Sequence, residues 1–258
     1  MRFDGKVAII TGAGGGIGSA TARIMAGEGA KLAAVDVDGA LLETLMGELS
    51  GLPGEVVPFV SNAMDPDAVA ATVEDVVGRW GRVDILVNCL GGTAGAPNSR
   101  ARIEDVTVDE WQAVLDFNLR GVFLYCQAVL PHMKRQNSGK IVNISSQVRY
   151  GKSEIVASYV ASKAGIVGLT NRIAHEAAGY GITANSVAPG LTLTPRVAAV
   201  RWDNISEEQR AQYSQRIPVG RVAVPEDQAK AIAFLASEDA DYITAQVLEV
   251  GGGEFSTL

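Results

Sequence analysis

The chain of 258 residues carries 29 acidic and 22 basic side chains, giving a net charge of -7, and 47% of its residues are hydrophobic. This composition excludes a disordered chain, and its acidic balance offers no basic surface to a nucleic acid. The length, together with glycine and proline spread evenly along the sequence, predicts a single domain over residues 1–258.

The N-terminal residues run directly into the short apolar stretch 7–10, which is too brief for a secretion signal or a membrane span. Cys89 and Cys126 lack the spacing of a zinc site and fit free thiols in a reducing compartment. The two histidines are scattered and fit structural positions. We therefore expect a cytoplasmic protein that binds neither a membrane nor a metal ion.

Seven short runs rich in valine, isoleucine and alanine alternate with segments whose apolar residues recur every three or four positions. The runs cover residues 6–10, 31–35, 55–60, 84–87, 140–144, 183–187 and 246–250. Parallel strands need crossover helices, and continuous apolar strands are typical of sheets buried on both faces. The pattern predicts an α/β fold with a doubly wound parallel sheet of about seven strands and helices on both faces.

A glycine-rich segment, Thr11 to Gly18, follows the first predicted strand and precedes a helical pattern. Glycines allow close backbone approach, and a helix N-terminus presents free N–H groups to a pyrophosphate. The spacing departs from the strict GxGxxG fingerprint, because Ile17 holds the place of the third glycine and Gly18 follows it. The segment therefore predicts a dinucleotide site, with a plain tight turn as the alternative.

Asp36 ends the second predicted strand, where a carboxylate accepts hydrogen bonds from the adenosine ribose of a dinucleotide. The same carboxylate would repel a 2′-phosphate, and neither the next two residues nor the glycine segment is basic. These features favour NAD over NADP. A strand-end cap is the alternative role for Asp36.

Tyr159 and Lys163 are four residues apart on a helical pattern, so they share one face of the helix. The strand 140–144 ends in Ser145-Ser146, at the edge where open α/β sheets bind ligands. Lysine can stabilise a phenolate, and a serine hydroxyl can stabilise the partial charge on a reacting oxygen. Together these residues are consistent with proton transfer at an alcohol or carbonyl group, with packing of Tyr159 in the core as the alternative.

The sequence closely resembles the short-chain dehydrogenase/reductase family over almost its whole length. The matching motifs are the glycine segment 11–18, Asn88-Cys89-Leu90-Gly91, Asn118, Ser146, Tyr159 to Lys163, and Pro189-Gly190 with Thr194. The resemblance implies a Rossmann-type fold and an NAD(P)-dependent alcohol dehydrogenase or ketone reductase. It also implies a homotetramer, assembled partly through the helix of Tyr159 and partly through the C-terminal segment.

The resemblance also assigns roles to single residues. The catalytic residues would be Asn118, Ser146, Tyr159 and Lys163, with Ser145 as the alternative serine and Asn118 in a proton relay. The cofactor would lie against Gly12, Gly14, Gly16, Ile17, Gly18, Asp36, Asn62, Ala63, Asn88, Gly91, Tyr159, Lys163, Pro189, Gly190, Thr192 and Thr194. Two departures from the family pattern are the larger side chains of Cys89 and Leu90, and Asn62 where an aspartate is common.

A segment at about 191–215 interrupts the alternation of strands and helices and predicts a lid over the substrate. The predicted pocket is formed by Gly92, Gln147, Arg149, Leu191 and Trp202. The lid is mostly apolar, which favours a hydrophobic or cyclic substrate. Arg149 is a hypothetical anion-binding residue, with a solvated surface arginine as the alternative.

Three functions are consistent with the sequence. The favoured one is NAD-dependent interconversion of a secondary alcohol and its ketone. Reduction of 3-oxoacyl thioesters, on acyl carrier protein or coenzyme A, ranks second because such a partner usually requires a basic entrance and NADPH. A catalytically silent NAD-binding sensor ranks third, because the set of Ser146, Tyr159 and Lys163 is complete.

Overall fold

The computed structural model describes residues 1–94 and 96–254. Seven parallel strands form one sheet in the order β3-β2-β1-β4-β5-β6-β7, which confirms the predicted architecture. The strands are β1 Val7–Thr11, β2 Lys31–Asp36, β3 Val56–Val60, β4 Ile85–Asn88, β5 Gly139–Ile144, β6 Ile182–Pro189 and β7 Val247–Val250. The chain changes direction across the sheet between β1 and β4, and ligands of such sheets bind at that crevice.

Nine α-helices cover the sheet in the described residues. They are α1 Gly16–Gly27, α2 Gly39–Leu49, α3 Pro66–Trp80, α4 Val108–Leu115, α5 Gly121–Gln136, α6 Ala157–Ala177, α7 Pro195–Val197, α8 Glu207–Gln215 and α9 Pro225–Leu235. One core cluster packs α1, α2 and α9 on one face of the sheet, and a second packs α3, α5 and α6 on the other. Both faces of the sheet are therefore buried, which explains why the apolar residues run almost continuously along the strands.

Several helices begin where the sequence supplies a cap. Asp38 and Asp65 accept backbone N–H groups at the starts of α2 and α3. Ser206 forms a capping box with Gln209, so the acidic segment that follows Ser206 begins α8. The segment 191–215 is thus mostly helical, with α7, a π-helical turn Ala198–Trp202 and α8 in succession.

The helical run Val108–Gln136 is long and apolar enough to cross a membrane by length and composition alone. The core helix of an α/β domain meets the same criteria. In this run, Val122, Tyr125 and Val129 are fully buried in the core cluster that packs α5 against the sheet. Their burial accounts for the apolar character of this part of the run.

Candidate active site

The glycine segment forms a tight turn between β1 and the start of α1. Gly12 has a φ of +65°, and the N–H of Gly15 bonds the carbonyl of Gly12 at 3.1 Å. Ala13 is tied to β2 through the Val35 carbonyl at 3.0 Å. No side chain caps α1, so the N–H groups of its first turn are left for a ligand. The turn therefore fits a pyrophosphate.

Two glycines of this turn are required by close contacts. A methyl group placed on Gly18 would collide with the carbonyl oxygen of Gly12. A methyl group on Gly16 would lie 2.8 Å from Cβ of Thr194, in the loop after β6. Ile17 packs partly buried against the core between them. The turn therefore leaves no room for a side chain at Gly18, which faces the turn's own backbone, or at Gly16, which faces the loop that carries Thr194.

Asp36 connects the end of β2 to the glycine turn. One carboxylate oxygen accepts the N–H of Gly14 at 3.0 Å, and the other accepts the N–H of Asp38 at 3.1 Å. The side chain remains partly exposed at the edge of the crevice. Asn62 and Ala63 follow the end of β3 at the same edge, and Asn62 is exposed with its Oδ1 bound to the N–H of Met64.

A buried chain of hydrogen bonds lies beneath the crevice. Thr11 donates to Asn88 at 3.2 Å, Asn88 to Asn143 at 2.8 Å, and Asn143 to Thr170 at 2.9 Å, while Ser186 also donates to Thr170 at 3.1 Å. All five side chains are fully buried. Asn88 therefore lies under the cofactor crevice with both polar atoms bonded, so its contribution to that crevice would come from its backbone.

The two adjacent serines have different partners. The Ser145 hydroxyl is buried and donates to the carbonyl of Lys163 at 2.7 Å, which ties the end of β5 to α6. The Ser146 hydroxyl is close enough to the Tyr159 side chain to lower the pKa of that phenol, and it caps the 3₁₀ turn Gln147–Tyr150 through the N–H of Val148 at 3.2 Å. The geometry therefore favours Ser146 as the serine that faces the reacting group.

Tyr159 lies in the first turn of α6 and is partly exposed. Burial of its hydroxyl raises the pKa of Tyr159 to about 12, although the hydrogen bond with Ser146 and the positive charge of Arg196 both act to lower it. At neutral pH the cofactor-free protein therefore holds a protonated tyrosine. A further positive charge beside the phenol would be needed to make Tyr159 an effective base.

Lys163 lies one turn further along α6 and is almost completely buried. Its ammonium donates to the carbonyl of Ile144 at 2.8 Å and to that of Leu90 at 3.1 Å, and lies 5.8 Å from the centre of the Tyr159 ring. Burial lowers the pKa of Lys163 to about 8. Below that pH the amine keeps its charge next to Tyr159, as the predicted pairing requires.

Asn118 lies in a π-helical turn, Asp116–Arg120, between α4 and α5. Its amide donates to the carbonyls of Gly92 and Val114 at 2.8 Å each, and its Oδ1 accepts the N–H of Gly92 at 3.0 Å. A methyl group on Gly91 would lie 2.9 Å from Asn118 Oδ1. Asn118 thus fixes the loop after β4 and reaches the site through Gly91 and Gly92.

Arg149 does not point freely into the cleft, which corrects the hypothesis that it binds a substrate anion. Its guanidinium pairs with Glu249 on β7 and bonds the Tyr150 hydroxyl at 2.8 Å and the carbonyl of Ser146 at 3.2 Å. The sequence could not reveal this partner, because Glu249 lies a hundred residues further along the chain. Arg149 therefore braces the backbone at Ser146.

The other predicted pocket residues surround the strand ends. Gln147 is buried against Gly190 and Gly251, so it supports the loop after β6 from below. Leu191 is partly buried at the start of the predicted lid, and Trp202 packs edge-on against Tyr213 at 6.1 Å.

The loop after β6 continues this surface. Pro189 is the last residue of β6, and Gly190 follows it, bonded to the Val250 carbonyl at 3.0 Å. Thr192 is buried and accepts a hydrogen bond from Gln228 at 3.1 Å. Thr194 caps α7 through the N–H of Val197 at 3.2 Å and faces Gly16.

Two other features of the molecule do not coincide with this site. A cavity of about 660 Å³ lies at the opposite, amino-terminal ends of the strands, and its Lys6 and Lys140 are paired with Glu238 and Asp241. Within residues 1–94 and 96–254, no group of three potential metal ligands occurs. The chemistry-bearing side chains are therefore gathered at the carboxyl edge of the sheet.

Known proteins are similar to this chain over nearly its full length. A family model described as enoyl-(acyl carrier protein) reductase matches residues 12–254. A 3-oxoacyl-(acyl-carrier-protein) reductase of Thermotoga maritima is 44% identical, covering 98% of this chain and 99% of that protein. A D-threitol dehydrogenase of Mycolicibacterium smegmatis is 37% identical, covering 98% and 94%. The crystal structure of levodione reductase matches with a TM-score of 0.89 at 35% identity and covers 100% of both chains.

The fold, the glycine turn and these relatives define an oxidoreductase of the nicotinamide-dependent type. The chain belongs to the short-chain dehydrogenase/reductase family, as its motifs predict.

The contact at Gly18 predicts a selective loss of cofactor binding. In Gly18→Ala the added methyl group must displace the Gly12 carbonyl, so we expect the dissociation constant of NADH to rise about tenfold or more, equivalent to about 1.4 kcal/mol. NADH fluorescence titration measures it. Gly27→Ala is the matched control, because its methyl group meets open space at the end of the same helix. Equal binding by both variants would contradict the close contact.

The raised pKa of Tyr159 predicts that the cofactor-free protein contains no phenolate at this position below about pH 10. The measurement is the phenolate difference spectrum between the wild type and Tyr159→Phe during a pH titration. Because burial disfavours the charged form, the difference signal is expected only as the pH approaches 12. A signal with a midpoint near neutral pH would show that the protein alone activates the tyrosine.

Proposed function

We propose that this protein is an NAD-dependent oxidoreductase that interconverts a small secondary alcohol and its ketone by hydride transfer. One observation carries the proposal. Ser146, which follows the carboxyl end of β5, lies together with Tyr159 and Lys163 of the first two turns of α6, at the edge of the sheet that also holds the glycine turn. The glycine turn after β1, the loop after β5 and the start of α6 therefore present complementary chemistry to one crevice.

NAD fits the residues of the crevice. The uncapped start of α1 suits its pyrophosphate, and the exposed edge of the Asp36 carboxylate suits the hydroxyls of the adenosine ribose. Asp36 also disfavours the 2′-phosphate of NADP by charge repulsion. When bound, the nicotinamide supplies the hydride acceptor and a positive charge beside Tyr159.

The residues of this chain would act in a fixed order during oxidation of an alcohol. Ser146 donates a hydrogen bond to the substrate oxygen and holds it against Tyr159. Tyr159 takes the hydroxyl proton as the hydride leaves carbon, and returns that proton in the reverse reaction. Lys163 stabilises the phenolate, where each unit of pKa lowering corresponds to about 1.4 kcal/mol. Asn118 holds the loop at Gly91 and Gly92, where a water relay would begin.

The substrate pocket is proposed between the Ser146 loop and the lid at 191–215. Leu191 and Trp202 are partly buried apolar residues of this lid, and an apolar lid would suit a compact carbon skeleton. The similarity to a D-threitol dehydrogenase and to levodione reductase supports a small alcohol or ketone as substrate.

Reduction of a 3-oxoacyl thioester is the second candidate. The 44% identity to a 3-oxoacyl-(acyl-carrier-protein) reductase favours it directly. The net charge of -7 and the Asp36 carboxylate weigh against an acidic carrier protein and against NADPH. A silent NAD-binding sensor ranks last, since the set of Ser146, Tyr159 and Lys163 is complete.

A cytoplasmic homotetramer is proposed as the assembled form. A shallow surface cleft of about 430 Å³ between α4, α5 and α6 is lined by apolar residues that include Leu115, Leu119, Phe123 and Leu169. Phe123 is 43% exposed in the isolated chain. A partner subunit would cover this face, as the family resemblance implies.

The function is tested by incubating the protein with NAD or NADP and a panel of secondary alcohols, including polyols, cyclic alcohols, hydroxy acids and 3-hydroxyacyl thioesters. Reduced nicotinamide is followed by absorbance. Turnover with NAD that Tyr159→Phe abolishes is expected, because the variant removes the proton acceptor. Tyr242→Phe, a change at a fully exposed tyrosine beside the cavity at the amino-terminal ends of the strands, is the control. Turnover restricted to the thioester would favour the second candidate, and NAD binding without turnover would favour the sensor.

Asp36→Ala is expected to lower the preference for NAD over NADP. Loss of charge-assisted hydrogen bonds to the ribose should raise KM for NAD about tenfold or more. KM for NADP should fall or stay constant, because the repulsion of the 2′-phosphate is removed. Steady-state kinetics with both cofactors measure the ratio. Asp36→Asn keeps an acceptor for the Gly14 N–H, so it separates the effect of the negative charge from the effect of supporting the glycine turn. An unchanged ratio in both variants would refute this role of Asp36.

A further inference from the structure

Arg196 is an exposed residue of the proposed lid and lies over the loop that follows β4. It is the second residue of α7, directly after the Pro195 that packs on the glycine turn. A methyl group placed on Gly92 would lie 3.1 Å from Nη1 of Arg196 and 3.7 Å from its Cζ. The guanidinium therefore rests against the backbone of Gly92, which the Asn118 side chain holds in place.

The adjacent residues Gly91 and Gly92 each lie against a cationic side chain. A methyl group on Gly91 would lie 2.5 Å from the Lys163 ammonium, just as one on Gly92 would meet Arg196. Arg196 is also close enough to Tyr159 for its charge to lower the pKa of that phenol. The guanidinium is therefore within electrostatic range of the Tyr159 phenol.

Arg196 differs from the other arginine near the proposed site, Arg149, in having no carboxylate partner among the described residues. Arg149 pairs with Glu249, and Arg221 forms two hydrogen bonds with Asp227. Within residues 1–94 and 96–254, Arg196 forms neither a salt bridge nor a side-chain hydrogen bond, although the chain is acidic as a whole. A guanidinium kept at a cleft without a carboxylate partner can bind a carboxylate or phosphate through two parallel N–H donors.

We propose that Arg196 binds an anionic group of the substrate, a carboxylate or a phosphate, attached within a few bonds of the carbon that is oxidised or reduced. The inference rests on the proposed function and narrows its substrate to a short hydroxy acid, keto acid or phosphorylated ketone. Arg196 takes the role that the sequence suggested for Arg149.

The position of the guanidinium separates this substrate class from the acyl thioesters. The group beside the ketone of a 3-oxoacyl thioester is uncharged, and its phosphate lies at the far end of a long pantetheine arm. An arginine at the reacting centre has no anion to bind in such a substrate. A short substrate places its anion at Arg196 and its carbonyl at Tyr159 at the same time.

The kinetic test compares matched ketones in the reduction direction with NADH. The pairs are 3-oxobutanoate with its methyl ester, and hydroxyacetone phosphate with hydroxyacetone, which distinguish a carboxylate from a phosphate. Arg196→Gln is expected to raise KM for the preferred anion about 10- to 100-fold and to change KM for its neutral partner by less than about twofold. Arg196→Lys should retain part of the preference. Arg216→Gln is the control, because it removes the same charge just beyond the end of the lid segment. Its KM values should match those of the wild type.

Two kinetic outcomes overturn the proposal while the proposed function stands. In the first, the neutral ketones are reduced as well as the anions by the wild type. In the second, Arg196→Gln raises KM for NADH and for neutral ketones as much as for anions, which would assign Arg196 to the phosphates of the cofactor.

A binding measurement tests the site without turnover. Isothermal titration calorimetry of malonate and of inorganic phosphate is carried out on the protein saturated with NADH. The proposal expects one of these anions to bind the wild type and the Arg216→Gln control, and to bind Arg196→Gln at least about tenfold more weakly. Failure of both anions to bind the wild type, or equal binding by Arg196→Gln, would overturn it. Anion binding at Arg196 without turnover of any ketone would instead contradict the proposed reaction and leave the anion site established.

Discussion

The candidate site depends on one buried chain of hydrogen bonds. Thr11, Asn88, Asn143 and Ser186 come from the carboxyl halves of β1, β4, β5 and β6, and Thr170 comes from α6. A buried polar group without a partner costs about 1–3 kcal/mol, so each member fixes the register of the next. The strand ends and the helix of Tyr159 are thereby held in one frame. The distances between the side chains of Ser146, Tyr159 and Lys163 therefore depend on this hydrogen-bonded frame.

Most of the fold and part of the site could be predicted from the sequence, because both depend on local patterns. The apolar runs predict all seven strands, and the four-residue spacing places Tyr159 and Lys163 on one helical face. The family resemblance favours Ser146 over Ser145, but a physical reason for that choice comes only from their different partners in space. Spacing alone does not show which of two neighbouring hydroxyls turns towards a helix.

Other features have no local signal. Asn143 interrupts an apolar strand by one residue, and its partner Thr170 lies in a helix 27 positions later. The arginines illustrate the same limit. Arg149 follows Ser146 closely in sequence, yet Glu249 neutralises it, whereas Arg196 reaches Gly92 from a distant loop. The charge available to a ligand depends on long-range pairing, and hydrophobic periodicity carries no information about that pairing.

The tie between Arg149 and Glu249 also concerns the order in which the chain is made. Glu249 lies in β7, which is made after the other six strands of the sheet, while Arg149 holds the carbonyl of Ser146 a hundred residues earlier. A nascent chain lacking β7 would have every proposed catalytic side chain but an unbraced serine loop. Enzymatic competence would therefore arise only after β7 has joined the sheet.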